Sequence, residues 1–281
     1  MPLATTARPL PAIAPAVLHP NEPDGAKGHS WARVRRFISP LALVLLWQAA
    51  STVGLLSPRT LAAPGTILLT AWDLLASGQL PWHILVSLAR VLAGLGIGLA
   101  AGILLALMAG LSRLGEDVVD APVQMLRTLP FLALVPLFIL WFGIGETPKV
   151  ALVALGTTFP IYFNLFAGIC GVEPRLVEMG RVFGLDRRGL VRHVILPSAL
   201  PSALVGLRYS LGVAWLSLVV AEQVNATAGI GYLINDARDF LRTDVILVGL
   251  VLYALLGLGA DSLVRLLERR LLAWRPQLVR A

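Results

Sequence analysis

What most limits how this chain can fold is a succession of apolar runs, each near the length of a membrane span, separated by short clusters of charge. A hydrocarbon core of about 30 Å takes roughly 20 helical residues to cross. Six runs meet that requirement, near 37–56, 84–111, 121–143, 150–171, 199–225 and 245–267. Hydrophobic residues make up 57% of the 281 and charged residues only 14%, more apolar surface than a water-soluble domain carries. The expected class is therefore an all-α membrane protein with six transmembrane helices. Pro130 and Pro136 in the third run and Pro160 in the fourth remove backbone donors. Lipid tolerates such breaks only where a neighbouring helix or a cavity satisfies the freed carbonyls, so these helices are expected to face protein or a pathway.

Orientation follows from lysine and arginine, which resist translocation. With the N-terminus inside, the cytoplasmic segments hold Arg8, Lys27, Arg33, Arg35 and Arg36, then Arg113, then Arg175, Arg181, Arg187, Arg188 and Arg192, then Arg265, Arg269, Arg270, Arg275 and Arg280. That is sixteen, against four outside: Arg59, Lys149, Arg238 and Arg242. Both termini are expected in the cytoplasm, and the chain in the inner (cytoplasmic) membrane. The net charge of +7 thus reflects topology, and with no lysine-rich face it gives no support for nucleic acid as a partner. Residues 1–36, broken by prolines at 2, 9, 11, 15, 20 and 23, read as a disordered cytoplasmic tail rather than a secretory leader. Residues 268–281 read as a cytoplasmic C-terminal tail, and the lone Cys170 as a small packing residue.

Within the second run Gly94, Gly98, Gly102, Ala106 and Gly110 recur every four residues, a ridge that lets another helix backbone approach closely. In the external segment 57–83, Pro64 and Gly65 introduce a short interfacial helix over 66–76. A second is expected over 229–240.

The segment GVEPRLVEMGRVFGLDRRGLVRHVILPSALP, between the fourth and fifth runs, is too long and too charged for a simple connector. Glu173 is placed to cap a helix that opens on Pro174, Gly184 to end it, and Asp186 to cap a second short helix, with Pro197 starting the next span. Leu176, Val177, Leu190 and Val191 are the expected apolar contacts of this helix, glycine, helix unit over 172–198.

The loop resembles the "EAA" loop of ABC importer permeases: Glu-Ala-Ala, three residues, Gly, nine residues, Ile-x-Leu-Pro. Glu178 takes the glutamate position, Gly184 the glycine, Val194 the isoleucine, and Leu196 and Pro197 close the pattern. Met179 and Gly180 stand in place of the two alanines. The resemblance runs from about 41 to 276 through QMLRTLPFLALVPLFILWFGIGE, ALGTTFPIY, VVAEQVNATAGIGYLINDARDFLRTD and LLERRLLAW. It is similar to the branch importing aliphatic sulfonates, taurine and nitrate, and most to the aliphatic sulfonate permeases. The resemblance implies a type I importer permease fold, like that of the methionine importer, and a homodimer. It also implies two copies of an ABC ATPase that docks on the loop, a periplasmic or lipid-anchored binding protein, and sulfonate uptake for sulfur acquisition.

The chain has only two lysines, Lys27 after Ala26 and Lys149 after Pro148, so the glycine-lysine pair of a P-loop is absent. ATP and Mg are expected on the partner ATPase and no cofactor on this chain. His19, His29, His83 and His193 form no H-E-x-x-H pair, so neither a metal nor enzymatic chemistry is expected. A secondary transporter would need embedded carboxylates or paired discontinuous helices, which the pattern lacks. Taurine, nitrate or another small oxyanion remain open as alternative substrates. Arg90, Arg127 and Arg208 lie within apolar runs, each costing about 2.5–3.5 kcal/mol at mid-bilayer unless partnered. With Glu222 and Asn225 they are the candidate pathway or gate residues, and Arg90 is expected to pair with Glu222.

Overall fold

The computed structural model describes residues 28–57 and 60–274, with side chains described from 38 onward except at 131 and 132. Arg59 and most of the expected N-terminal tail lie outside the described residues. Contacts divide the chain into residues 1–49 and 50–281. Most of helix α1 (Gly28–Thr52) belongs to the first unit, so 28–36 are helical rather than part of a disordered tail. Its described apolar stretch is Ile38–Thr52.

In the second unit the order is α2 (Pro64–Ala76), α3 (Gln79–Gly110), α4 (Arg113–Thr128), a 3-10 turn (Phe131–Leu134), α5 (Val135–Phe142), α6 (Thr147–Cys170), α7 (Pro174–Val182), α8 (Arg187–Leu190), a π turn (Val191–Ile195), α9 (Leu196–Gln223), α10 (Ile230–Asp239) and α11 (Thr243–Leu271). The second, fourth, fifth and sixth expected spans are α3, α6, the continuous helix Arg187–Gln223 and α11, each long and apolar enough to cross a membrane. Helix α11 runs on to Leu271, so the expected C-terminal tail begins in helix.

The third expected span is not one helix. Helix α4 starts at Arg113, where the Ser112 hydroxyl accepts from the Gly115 N–H at 3.0 Å, and stops at Thr128 because Leu129, ahead of Pro130, is extended (φ −70, ψ 132). Pro136 then sits in the first turn of α5, where its missing N–H costs nothing. The run of apolar residues over 121–143 hid two helices joined by a tight turn.

The core is built on α6, packed between α3 and α9. The ridge on α3 lies against α6 with no room for side chains. A Cβ on Gly94 would stand 2.6 Å from Val153 Cβ, and one on Gly110 2.8 Å from Ile169 Cγ2. Gly98 faces Thr157 and the Ala154 carbonyl, and Gly102 faces Ile161 and the Thr158 carbonyl. Opposite this contact, Ser210 of α9 donates to the Thr157 carbonyl at 2.9 Å, tying α9 to α6. Buried Val91, Leu95, Val153, Ala214, Trp215 and Leu218 fill one half of the core. Tyr162, Leu165, Ile169, Ala106 and Ala199 lie in the other.

The two short helices expected outside the spans are present. Thr70 of α2 donates to Asp244 of α11 at 2.8 Å, and α10 buries Ile230, Gly231, Leu233 and Ala237.

Gly98→Ala should destabilise the protein by about 1–3 kcal/mol, since the added methyl has nowhere to go. Gly96, with nothing within 4 Å of its Cβ position, should accept alanine with no loss. Thermal unfolding of both variants in detergent measures the difference.

Candidate functional site

At the end of the bundle where α9 finishes, Arg90 of α3 is 4% exposed and fully engaged. Its Nη1 donates to Glu222 Oε1 at 2.7 Å and to the Ala228 carbonyl at 2.6 Å. Its other edge grips Glu146, with Nε on Oε2 and Nη2 on Oε1 at 2.7 Å. The expected Arg90–Glu222 pair is therefore present, as one side of a larger network.

Glu222 is 1% exposed and its carboxylate is saturated. Oε1 accepts from Ser87 Oγ at 2.7 Å and from Arg90; Oε2 accepts from the Gly231 N–H at 2.8 Å and from the Tyr253 hydroxyl at 3.3 Å. Ser87 Oγ in turn accepts from the Ile230 N–H at 2.8 Å, and His83 Nδ1 accepts from the Gly229 N–H at 3.0 Å. The chain after α9 can fold back this tightly because Gly229, at φ +118, has the Glu222 carboxylate where a Cβ would stand, and Gly231 has Glu222 Cβ at 2.6 Å. A charge swap would not rebuild this arrangement. An arginine at 222 would face the Gly231 N–H, and a carboxylate at 90 would face Glu146 and the Ala228 carbonyl.

Glu146, just ahead of α6, keeps its side chain 60% exposed. Its Oε1 also accepts from Lys149 Nζ at 3.3 Å, and Lys149, 5% exposed, donates to the Gly145 carbonyl at 2.9 Å. Lys149 lines a small pocket with Phe138, Ile139, Leu152 and Asn225. Asn225 sits there at φ +54, a left-handed conformation that asparagine tolerates better than most residues.

The other candidate arginines are elsewhere. Arg208 pairs with Asp261 at 3.2 Å and Glu268 at 2.7 Å on α11, and Arg127 stacks on the Phe163 ring at 4.5 Å. Neither joins the network. Glu146, Lys149, Ser87 and Tyr253 are members that the sequence reading missed. The signal for the first two was available: Arg90 lies one four-residue step before Gly94, on the face that meets α6.

At the other end stands the 172–198 loop. Helix α7 ends in a Schellman turn: Leu185 N–H bonds the Gly180 carbonyl at 3.0 Å, Gly184 N–H bonds the Arg181 carbonyl at 2.9 Å, and Gly184 takes φ +80. Asp186 caps α8 as expected, accepting from the Gly189 N–H at 2.7 Å. Glu173 makes no side-chain cap. Gly180, in the second alanine's position, is a socket for Leu190, whose Cδ2 lies 2.6 Å from where its Cβ would be; Val194 closes in beside it. Leu190 is thus internal rather than available for docking. The exposed apolar residues are Met179 (54%), Val182 (86%) and Phe183 (80%), with Leu176 beside them. Glu178 shares this exposed surface. Pro197 does not start the next span: α8 runs into α9 through the π turn, with Leu196 N–H reaching the Val191 carbonyl five residues back. That wider turn makes space for the Pro197 ring beside the carbonyl of residue 193.

Over residues 98–273 the sequence matches the family described as binding-protein-dependent transport system inner membrane component. It is 52% identical over 244 residues to a protein of Escherichia coli (strain K12) named as an aliphatic sulfonates transport permease, SsuC, covering 87% of this chain and 93% of that one. The Bacillus subtilis (strain 168) protein of the same name is 43% identical, with 89% and 90% covered. The taurine transport system permease TauC of Escherichia coli (strain K12) is 34% identical, with 85% and 90% covered. A crystal structure of an amino acid ABC transporter with histidines shares the fold at a TM-score of 0.57 and 21% identity, covering 67% of this chain and 92% of that one.

The ion network predicts two unequal losses. Glu222→Gln leaves Arg90 buried and half-paired and should cost about 3–5 kcal/mol. Arg90 holds the Glu146 carboxyl below its ordinary 4.5, against the opposing effect of burial. The contribution of that contact is therefore complete above about pH 4.5 and lost as pH falls through the lower folded-state value. Glu146→Gln should lower Tm modestly at pH 7, and the gap from wild type should close as pH drops below 4.5.

Proposed function

The chain belongs to the family of binding-protein-dependent transport system inner membrane components, the permeases of ABC importers, and from that membership we propose that it carries aliphatic sulfonates into the cell. Membership makes it a membrane-spanning transport subunit working with ATPase and substrate-binding partners. The finer reading is a homodimer with both termini cytoplasmic, served by two copies of a separate ATPase that bind ATP and Mg, and by a periplasmic or lipid-anchored binding protein. Aliphatic sulfonates other than taurine, which carries an amino group, are favoured because the relatives named for aliphatic sulfonates are 52% and 43% identical and the taurine permease 34%.

The observation that carries the coupling role is the form of the 172–198 loop. A glycine turn fixes α7 against the start of α8 and leaves Met179, Val182 and Phe183 uncovered among arginines. An apolar cluster of this kind, outside the apolar length of the bundle, needs a protein surface to cover it. The ATPase is that surface, and Glu178, Gly184 and Pro197 belong to the unit it moves.

The importer should be purified with its partner ATPase, reconstituted with the binding protein, and assayed for ATP-dependent uptake of a labelled alkanesulfonate. Wild type should transport, and added alkanesulfonate should stimulate its ATP hydrolysis. Gly184→Val forces a branched side chain into a left-handed conformation at about 1–2 kcal/mol, and Phe183→Glu charges the apolar surface. Both should keep the membrane fold and lose stimulated hydrolysis. Full stimulation in both variants would remove the loop from the coupling path.

A further inference from the structure

The two carboxylates on Arg90 are held very differently. Glu222 is buried with acceptor bonds from Ser87, Arg90, Gly231 and Tyr253, so it is a fixture that aims the guanidinium. Glu146 is 60% exposed and all its partners are cations: the Nε–Nη2 edge of Arg90, and Lys149 through the same Oε1. That edge is the fork that binds planar or tripodal oxyanions in a bidentate way. Lys149 has three donors and two acceptors among the described residues.

We propose that the Nε–Nη2 edge of Arg90 together with the Lys149 ammonium is an acceptor site for the sulfonate head of the substrate, and that Glu146 is a resident carboxylate which the incoming sulfonate displaces into solvent. The alkyl tail then lies along Ile97, Phe138 and Val150, which line the open apolar groove that Glu146 also lines. This rests on the alkanesulfonate reading above. Charge favours a one-for-one exchange. Arg90 and Lys149 against Glu222 and Glu146 sum to zero, so the departure of Glu146 leaves one positive charge, which a monoanionic sulfonate neutralises. Glu222 is unaffected, so the guanidinium stays aimed throughout. The site lies at the end of the bundle opposite the 172–198 loop, where the charge distribution of the sequence puts the external face and hence the arrival of the substrate.

The test uses the permease with its ATPase in lipid nanodiscs, without the binding protein, titrated with butanesulfonate, alongside uptake by the complete importer. Glu146→Ala empties the site and should tighten butanesulfonate binding by at least about tenfold. Adding Lys149→Met should abolish that gain. In uptake, Lys149→Met should raise KM with a smaller effect on kcat. A purely structural role for Glu146 would lower Tm without raising affinity, so a gain of binding separates the two. Affinity should also rise about fourfold per methylene from ethanesulfonate to butanesulfonate. Wild type that imports alkanesulfonates, with affinity unchanged in Glu146→Ala, would overturn this inference alone. Wild type that imports no alkanesulfonate would overturn the substrate reading and the site with it.

Discussion

The register of α3 on α6 fixes everything near the ion network. Gly94 meets Val150 and Val153, Gly98 meets Ala154 and Thr157, and Gly102 meets Thr158 and Ile161. One step back along the same face, Arg90 meets Glu146, which Lys149 also reaches. The glycines bring the two backbones so close that neither lipid nor water fits between them, and a long cation in the next position must find its partners in the protein. The charges are where they are because the side chains before them are missing.

Such a network is a poor source of stability, since desolvating the ions offsets most of their attraction. What it supplies is definition. Ser87 and Arg90 of α3, Gly231 of α10 and Tyr253 of α11 all converge on the Glu222 carboxylate of α9, and any slip of one helix leaves a buried donor or acceptor without a partner. The closeness of Gly229 and Gly231 to that carboxylate makes the return of the chain after α9 part of the same device.

Much of this was legible in the sequence, and the failures have physical causes. The glycine ridge, the short helices α2 and α10, the Gly184 turn and the Asp186 cap each depend on local chemistry that a single sequence displays, and the Arg90–Glu222 pair on two opposite charges near the same end of their apolar runs. The third run differs from its expected single span because apolarity cannot distinguish one helix from two joined by a turn, and the break comes from the extended Leu129 that Pro130 imposes. Pro197 has the look of a helix start, although a proline preceded by a wide turn can sit inside one. Leu190 was read as an outward contact because the socket at Gly180 exists only once α7 folds back on α8. Arg208 reads as a pathway or gate candidate, whereas Asp261 and Glu268 reach it from α11, more than fifty residues along the chain. Contacts of that separation leave no trace in periodicity.

The join between α8 and α9 has a mechanical meaning. Because the π turn carries the helix past Pro197 without a break, one rod of 37 residues, Arg187–Gln223, has the loop arginines at one end and Glu222 at the other. At 1.5 Å per residue it is a lever of about 55 Å, so a tilt of roughly 5° at the foot displaces the tip by about 5 Å. That stroke exceeds any hydrogen bond in the ion network. A small rocking of the foot would be enough to pull Glu222, and the guanidinium it steers, away from the mouth of α6.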